Sequence, residues 1–368
     1  MDTLTHALSG ALLARLITVR KTENASTHSA ATPGGPKLWQ CVVVGTVAGA
    51  FPDIDAITQV FGDIAYLTQH RGVTHSVLML PVWAAGVAWL MTRCFASTRG
   101  VPGAWLQFYV LALGGIGIHI AGDWVTQFGT MLLQPFSAQR FGLGAMFIID
   151  LAFSGILLAG LLVAAVFPRR RWPAALALTA AVGWVALAWT GQQEAEEVGA
   201  RYAAAQGFSA PDILVMPRPA SPFNWTVSVF DGQDYHVAHI NTRRTQPLDA
   251  EVTALFPPAF VRRFSAPYLP VDQAPWTTVS RFGGNGTPDW VQQAWSHPDF
   301  AFFRWFAQTP ALVQASVDDG RRCVTFRDLR FEFPGREQSP FRYGLCLPTD
   351  AGGAAGVYKL EGGVRKPV

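Results

Sequence analysis

The sequence predicts an α-helical membrane bundle of about six helices over residues 1–190, followed by a soluble α+β domain over residues 191–368. Three observations lead there. Long apolar runs are confined to the first half of the 368-residue chain. Charged residues make up only 14% of it, against about a quarter in an ordinary soluble domain. Beyond residue 190 the composition turns polar, with short strand-like runs broken by Gly, Pro and Asp.

Six apolar segments can be drawn, at 4–18, 38–52, 76–95, 104–122, 145–167 and 173–190. A membrane crossing takes about 20 apolar residues, so the third to fifth segments qualify and the sixth sits at the lower limit. The first two are short, as tilted or partly re-entrant helices are. Glycines such as Gly45, Gly49, Gly114, Gly115 and Gly160 suit close helix packing in lipid. No basic stretch precedes the first apolar run, and Asp2 and His6 stand where a signal peptide is cationic or apolar. The N-terminus is therefore expected to remain in the mature protein.

Positive charge orients the bundle. Arg15, Arg20, Lys21 and Lys37 flank the connection between segments one and two, Arg93 and Arg99 lie between three and four, and Arg169, Arg170 and Arg171 between five and six. If the segments alternate in direction, these connections share one side, expected to be the cytoplasm. The other side then receives the 53–75 and 123–144 connections and everything after residue 190, so the C-terminal domain is expected in the periplasm. The net charge of +3 says little about partners, and the basic clusters read as topology signals and do not suggest a nucleic-acid surface.

The soluble part opens with the helix-prone stretch Gln192–Glu197. Strands are expected near Asn224–Phe230, Tyr235–Ile240 and Arg322–Phe326, and an aromatic-rich helix over Asp289–Gln308. Cys41 and Cys94 fall in apolar helices as packing residues. Cys323 and Cys346 are available for a disulfide in an oxidising compartment, although their spacing supplies no geometry.

Histidines and aspartates gather at segment ends. They are His6, Asp53 and Asp55, His70 and His75, His119 and Asp123, and Asp150. The alternation that groups the basic connections places all of them at the opposite face, though charge counting never used them. Such side chains are costly beside hydrocarbon unless they bind something, and these are the ligand types of a hydrolytic metal centre. His119 and Asp123, four apart, share a helical face; the bland alternative is a buried histidine paired with a carboxylate. Gly72 permits a bend between His70 and His75, where Thr74 or Ser76 is a candidate helix cap. Asp53 and Asp55 follow Pro52 in an expected extended turn, where aspartates are often simple turn residues; one of the two is a candidate outer support. Asp150, inside an apolar run, needs a metal or Arg140 as partner, and Asp2 and Asp63 are no more than outer candidates. His28, His236, His239 and His297 are better read as structural.

Four histidines with several aspartates exceed the ligands of one zinc, so two or three divalent ions are expected, with Zn favoured and Mn or Fe as alternatives. Such a centre suits phosphoester hydrolysis, with Asp55 and Arg71 as catalytic candidates. A guanidinium at Arg71 or Arg140 can bind a phosphate bidentately or simply anchor to lipid headgroups.

The runs Met1–His6, Phe51–Asp55, His70–Ser76, His119–Asp123 and Phe147–Asp150 resemble the YdjM-like family of membrane-bound, metal-dependent hydrolases, over roughly residues 1–190. That family is remotely similar to the zinc-dependent phospholipase C superfamily. The resemblance implies an all-α metal site, phosphoester substrates and His6, Asp53, His70, His75, His119 and Asp123 as ligands. The expected protein is an inner-membrane metal hydrolase whose partners are the lipid bilayer and an amphiphilic substrate. The competing expectation is a metal or proton transporter using the same cluster; a third is a membrane protein that binds a stabilising ion without turnover.

Overall fold

Apolar sequence becomes helix at all six expected places. In chain order these are α1 (Thr3–Ile17), α2 (Leu38–Ala50) with a 3₁₀ continuation (Phe51–Phe61), the short extra helix α3 (Asp63–Gln69), α4 (Leu80–Cys94), α5 (Ala104–Trp124), α6 (Leu151–Val166) and α7 (Trp172–Gln206). The computed structural model describes residues 1–18, 35–249, 257–284, 286–349 and 353–368. Arg20, Lys21 and His28 lie outside the described residues.

The helices do not divide into crossings as expected. Among the described residues, three stretches are long and apolar enough to cross a membrane: Leu38–Phe61, Ala104–Trp124 and Trp172–Gln206. A pair bent by 80°, Asp63–His75 with Leu80–Cys94, makes a fourth if it counts as one span. α1 and α6, with 15 and 16 residues, reach only about 23 Å at ~1.5 Å per residue, short of a ~30 Å hydrocarbon core.

Local chemistry explains each departure. Pro81 sits in the first turn of α4, and Asp150 caps α6 by accepting the Phe153 N–H at 2.9 Å, so both helices start later than their apolar runs. The sixth segment, expected to be marginal, is the longest helix, because no proline interrupts residues 174–206 and Gln192–Glu197 are good helix formers. Pro52 does not produce an extended turn. It lies at the second position of the 3₁₀ stretch that continues α2, so Asp53 and Asp55 are helical.

Contacts divide the chain into two units, Met1–Thr58 with Gln69–Ala188, and Gln59–Thr68 with Trp189–Val368. A division at residue 190 did not foresee that residues 59–68 belong with the second. In the first unit neighbouring helices alternate in direction. α1 and α2 pack antiparallel and so closely that a Cβ at Gly10 would strike the Gly45 carbonyl, and one at Gly49 the His6 carbonyl. α1 and α6 run parallel: Thr5 Oγ1 meets Ser154 Oγ at 2.7 Å at one end, and Arg15 Nη2 donates to the Ala164 carbonyl at 2.8 Å at the other. Trp184 Nε1 on α7 reaches back to Asp150 Oδ2 at 3.0 Å, which makes α7 antiparallel to α6. The core between α2, α4 and α5 holds Cys41, Val44, Ala48, Ala84, Phe108 and Ile116, all fully buried. Its alanines let the backbones approach, so dispersion replaces the hydrophobic drive that lipid removes.

The second unit is sheet-rich. Strands β1 (Asp212–Pro217), β2 (Asn224–Phe230) and β3 (Asp234–Asn241) form an antiparallel meander, after which come α8 (Pro258–Phe264), β4 (Leu269–Pro270) and β5 (Thr277–Ser280), both strands pairing with β3. The expected aromatic helix is broken at Pro298 into α9 (Trp290–Ser296) and α10 (Ala301–Phe306). A second sheet follows, built from β6 (Pro310–Asp318), β7 (Arg321–Asp328), β8 (Arg342–Pro348), β9 (Gly356–Glu361) and β10 (Val364–Pro367) in sequential order. The α+β class holds. Cys323 and Cys346, opposite one another in the β7–β8 register, form a disulfide. Asp63 pairs with Lys359 at 2.9 Å, within this unit.

Candidate metal centre

Four donors converge at one end of the helical unit. Asp53 comes from the 3₁₀ stretch after α2, His75 from the turn before α4, and His119 and Asp123 from the last turns of α5. One ligand atom from each lies within 4.8 Å of all the others. His75 and His119 bring their Nε2 atoms to 2.9 Å. Asp53 Oδ1 stands 3.8 and 3.6 Å from these nitrogens, and Asp123 Oδ2 stands 3.2 and 3.6 Å away.

The surrounding hydrogen bonds fix what those nitrogens can do. His119 Nδ1 is 2.6 Å from the Gly49 carbonyl, which can only accept, so the proton sits on Nδ1 and Nε2 carries a lone pair. His75 Nδ1 lies 3.0 Å from Thr74 Oγ1, whose own hydroxyl donates to Asp55 Oδ2, and 3.2 Å from Asp55 Oδ2 itself, so both neighbours accept from Nδ1 and its Nε2 lone pair is left inward. This is how outer partners orient metal-binding imidazoles. Two lone pairs and two carboxylate oxygens thus face one small volume. A single proton between the nitrogens reaches Asp123 Oδ2, 3.2 Å from His75 Nε2, but leaves Asp53 Oδ1 unserved at 3.8 Å. All four donors could serve one divalent cation, and a mixed nitrogen and oxygen set is of the type that Zn²⁺, Mn²⁺ or Fe²⁺ accept.

The remaining expected residues surround this set without joining it. His6, on α1, places Nε2 3.0 Å from Asp123 Oδ1 and stacks its ring on His119 at 3.6 Å. His70 is bound through Nδ1 to Asp55 Oδ1 at 2.8 Å and its ring lies 6.2 Å from that of His75. Among the described residues only one four-donor group forms, whereas two or three ions were expected.

Asp55 is not placed to act on a substrate. It accepts from His70 Nδ1, the Arg71 N–H (2.8 Å), Thr74 Oγ1 (3.1 Å) and His75 Nδ1, which makes it the positioning carboxylate of the site. Arg71 is equally committed. Its guanidinium is buried, with Nε 2.8 Å from Asp123 Oδ2 without hydrogen-bond alignment, Nη1 donating to Thr126 Oγ1 at 2.8 Å, and the plane 5.0 Å over Phe128. It offsets the charge of Asp123 instead of facing outward for a phosphate. Arg140 donates to the carbonyls of Gly129 and His70 at 3.1 Å. Asp150 is a helix cap, already engaged by Phe153 N–H and Trp184, so a metal role is corrected to a structural one. Asp2 likewise caps α1 through the Thr5 N–H.

Sequence reasoning missed three partners. Thr3 Oγ1 donates to Asp53 Oδ2 at 2.6 Å, and its place in the Met1–His6 run was the available signal. The Met1 amino group contacts Asp123 Oδ1. The Gly49 carbonyl, which sets the His119 tautomer, carries no side-chain signal at all.

A 145-residue stretch is 26% identical to a protein described as uncharacterized, YfhP of Bacillus subtilis (strain 168), and covers 39% of this chain and 40% of that one. The match thus spans well under half of that relative's length. No solved structure matches the chain. Residues 1–195, which carry every donor of the site, match the family described as YdjM inner membrane protein, and the chain belongs to that family.

Proposed function

We propose that this protein is an integral inner-membrane hydrolase that holds a divalent cation between Asp53, His75, His119 and Asp123 and acts on a phosphoester-containing lipid or envelope intermediate. The observation that carries the reading is the pair of imidazole Nε2 atoms 2.9 Å apart, flanked by two carboxylates. A bound divalent ion supplies Lewis acidity toward phosphoryl oxygens. The chain's own residues do the rest: Asp55 and the Gly49 carbonyl orient the two imidazoles, and Arg71 compensates Asp123, its Nε 2.8 Å from the Oδ2 that faces them.

A neighbouring cavity supports an amphiphilic substrate. About 270 Å³ lies between α1, α5, α6 and α7, lined by Ile118, Phe153, Leu157, Leu178 and Val182 and reaching His6, whose ring stacks on His119. An alkyl chain seated there ends at the donor cluster. Buried Ala48, Ala112 and Ile116 beneath the site favour hydrolysis over ion translocation, which needs polar groups on both sides. The disulfide, together with the alternating helix directions and the basic residues Arg15 and Arg171 at the end of the bundle away from His6, supports a multi-pass protein with its C-terminal domain in the periplasm.

The test is turnover of phospholipid and lipid-phosphate substrates by full-length protein in neutral detergent. His119→Ala and His75→Ala should abolish it, and His236→Ala, far along the chain in β3, should retain it. Equal rates in all three would overturn the reading.

A further inference from the structure

The second unit contains a cavity of about 380 Å³ between its two sheets. Its wall is part apolar, with Val237, Val279, Leu329, Phe331 and Phe333, and part polar. Arg327, Arg336 and Arg342 line it against a single carboxylate, Glu332, a surplus of two positive charges. Glu332 is shared: Arg327 Nη1 lies 3.1 Å from one oxygen and Arg342 Nη2 3.7 Å from the other.

Donors are left over. Among the described residues, the buried Nε atoms of Arg327 and Arg342 and the hydroxyl of Ser339 have no hydrogen-bond partner. Ser339 is only 7% exposed and lines the cavity, so its unmet polar atom is costly unless something enters. Behind the wall, fully buried Arg218 donates through Nε to Thr226 Oγ1 at 2.7 Å. The Thr226 hydroxyl, whose oxygen is thus engaged, has His239 Nδ1 as its acceptor at 2.8 Å. That arrangement leaves the imidazole proton on Nε2. His239, which also lines the cavity, is held neutral by burial and by Arg218, its pKa lowered to about 4.

From these leftover donors, the basic surplus and the apolar wall, we infer that the cavity binds an anionic amphiphile, an oxyanion head against Arg336, Arg342 and Ser339 with an apolar body on Phe331 and Phe333. The proposal does not rest on the metal reading, since every residue involved belongs to the second unit.

The experiment is isothermal titration of chelator-treated full-length protein in neutral detergent with three probes: hexyl phosphate, hexanoate and inorganic phosphate. One six-carbon anion should bind saturably and at least tenfold tighter than inorganic phosphate, and the tighter of the two identifies the head as phosphate or carboxylate. Arg342→Gln should weaken that binding at least fivefold. Arg336→Gln, at an exposed position, should weaken it at least threefold. Equal affinity in wild type and both variants, inorganic phosphate binding as well as the six-carbon anions, or no saturable binding at all would each overturn the proposal.

Discussion

Replacing Asp55 by Asn separates a residue that positions a ligand from one that is a ligand. The carboxylate accepts four donors, from His70, Arg71, Thr74 and His75. An amide keeps one acceptor oxygen, which is best placed toward the three donors on the Oδ2 side, so its NH₂ meets His70 Nδ1 and forces a tautomer change there. The bond to His75 survives but loses its charge. Hydrogen bonds to charged groups contribute ~1.5–3 kcal/mol and neutral ones ~0.5–1.5, so His75 loses about 1–1.5 kcal/mol of orientation. At ~1.4 kcal/mol per decade, divalent affinity should fall about tenfold, the low end of what outer-partner substitutions cost. The assay is competition of full-length protein against a fluorimetric zinc chelator, with His75→Ala alongside as the loss of a direct ligand. An affinity of the Asp55→Asn variant within twofold of wild type would refute the positioning role. A loss as large as that of His75→Ala would show Asp55 to be a ligand.

Three further outcomes are expected. Gly49→Ala places a methyl against the His6 carbonyl; overpacking of this kind costs ~1–3 kcal/mol, read as a lower thermal midpoint, and a weakened Gly49–His119 bond should lower zinc affinity too, whereas an unchanged midpoint would show that α1 and α2 can move apart freely. Asp150→Ala removes the α6 cap at ~1 kcal/mol and should leave the bound-metal stoichiometry by elemental analysis unchanged; a lost ion would restore Asp150 as a ligand. Burial and Arg218 lower the pKa of His239 from 6.5 to about 4, so the unfolded chain takes up a proton there that the folded chain refuses. The stability this neutral histidine contributes is complete above pH 6.5 and declines as pH falls toward 4. His239→Gln should flatten that part of the stability–pH curve, measured by denaturant midpoints, and a curve of unchanged slope would show that His239 is protonated in the folded state.

Residues 1–190 declared much of this protein without coordinates. Apolar runs fixed six helices because period and composition are local properties, and His119 and Asp123 shared a face because four residues make about one turn. Imidazoles and carboxylates at helix ends marked the site because they are expensive there unless engaged. The strand Asn224–Phe230 was legible for the same local reason. Tertiary structure alone decided the roles within the cluster. Asp55 and Asp53 are two residues apart and chemically identical, yet one faces four donors and the other faces two bare nitrogens. Arg71 was drawn into an ion pair with Asp123, 52 residues away, and Asp150 into a hydrogen bond with Trp184, 34 residues away. The Gly49 carbonyl acquired its role through the close approach of α1, α2 and α5. Donor counts, tautomers and leftover lone pairs are set by which chain segments meet, and that depends on packing that no single stretch of sequence contains.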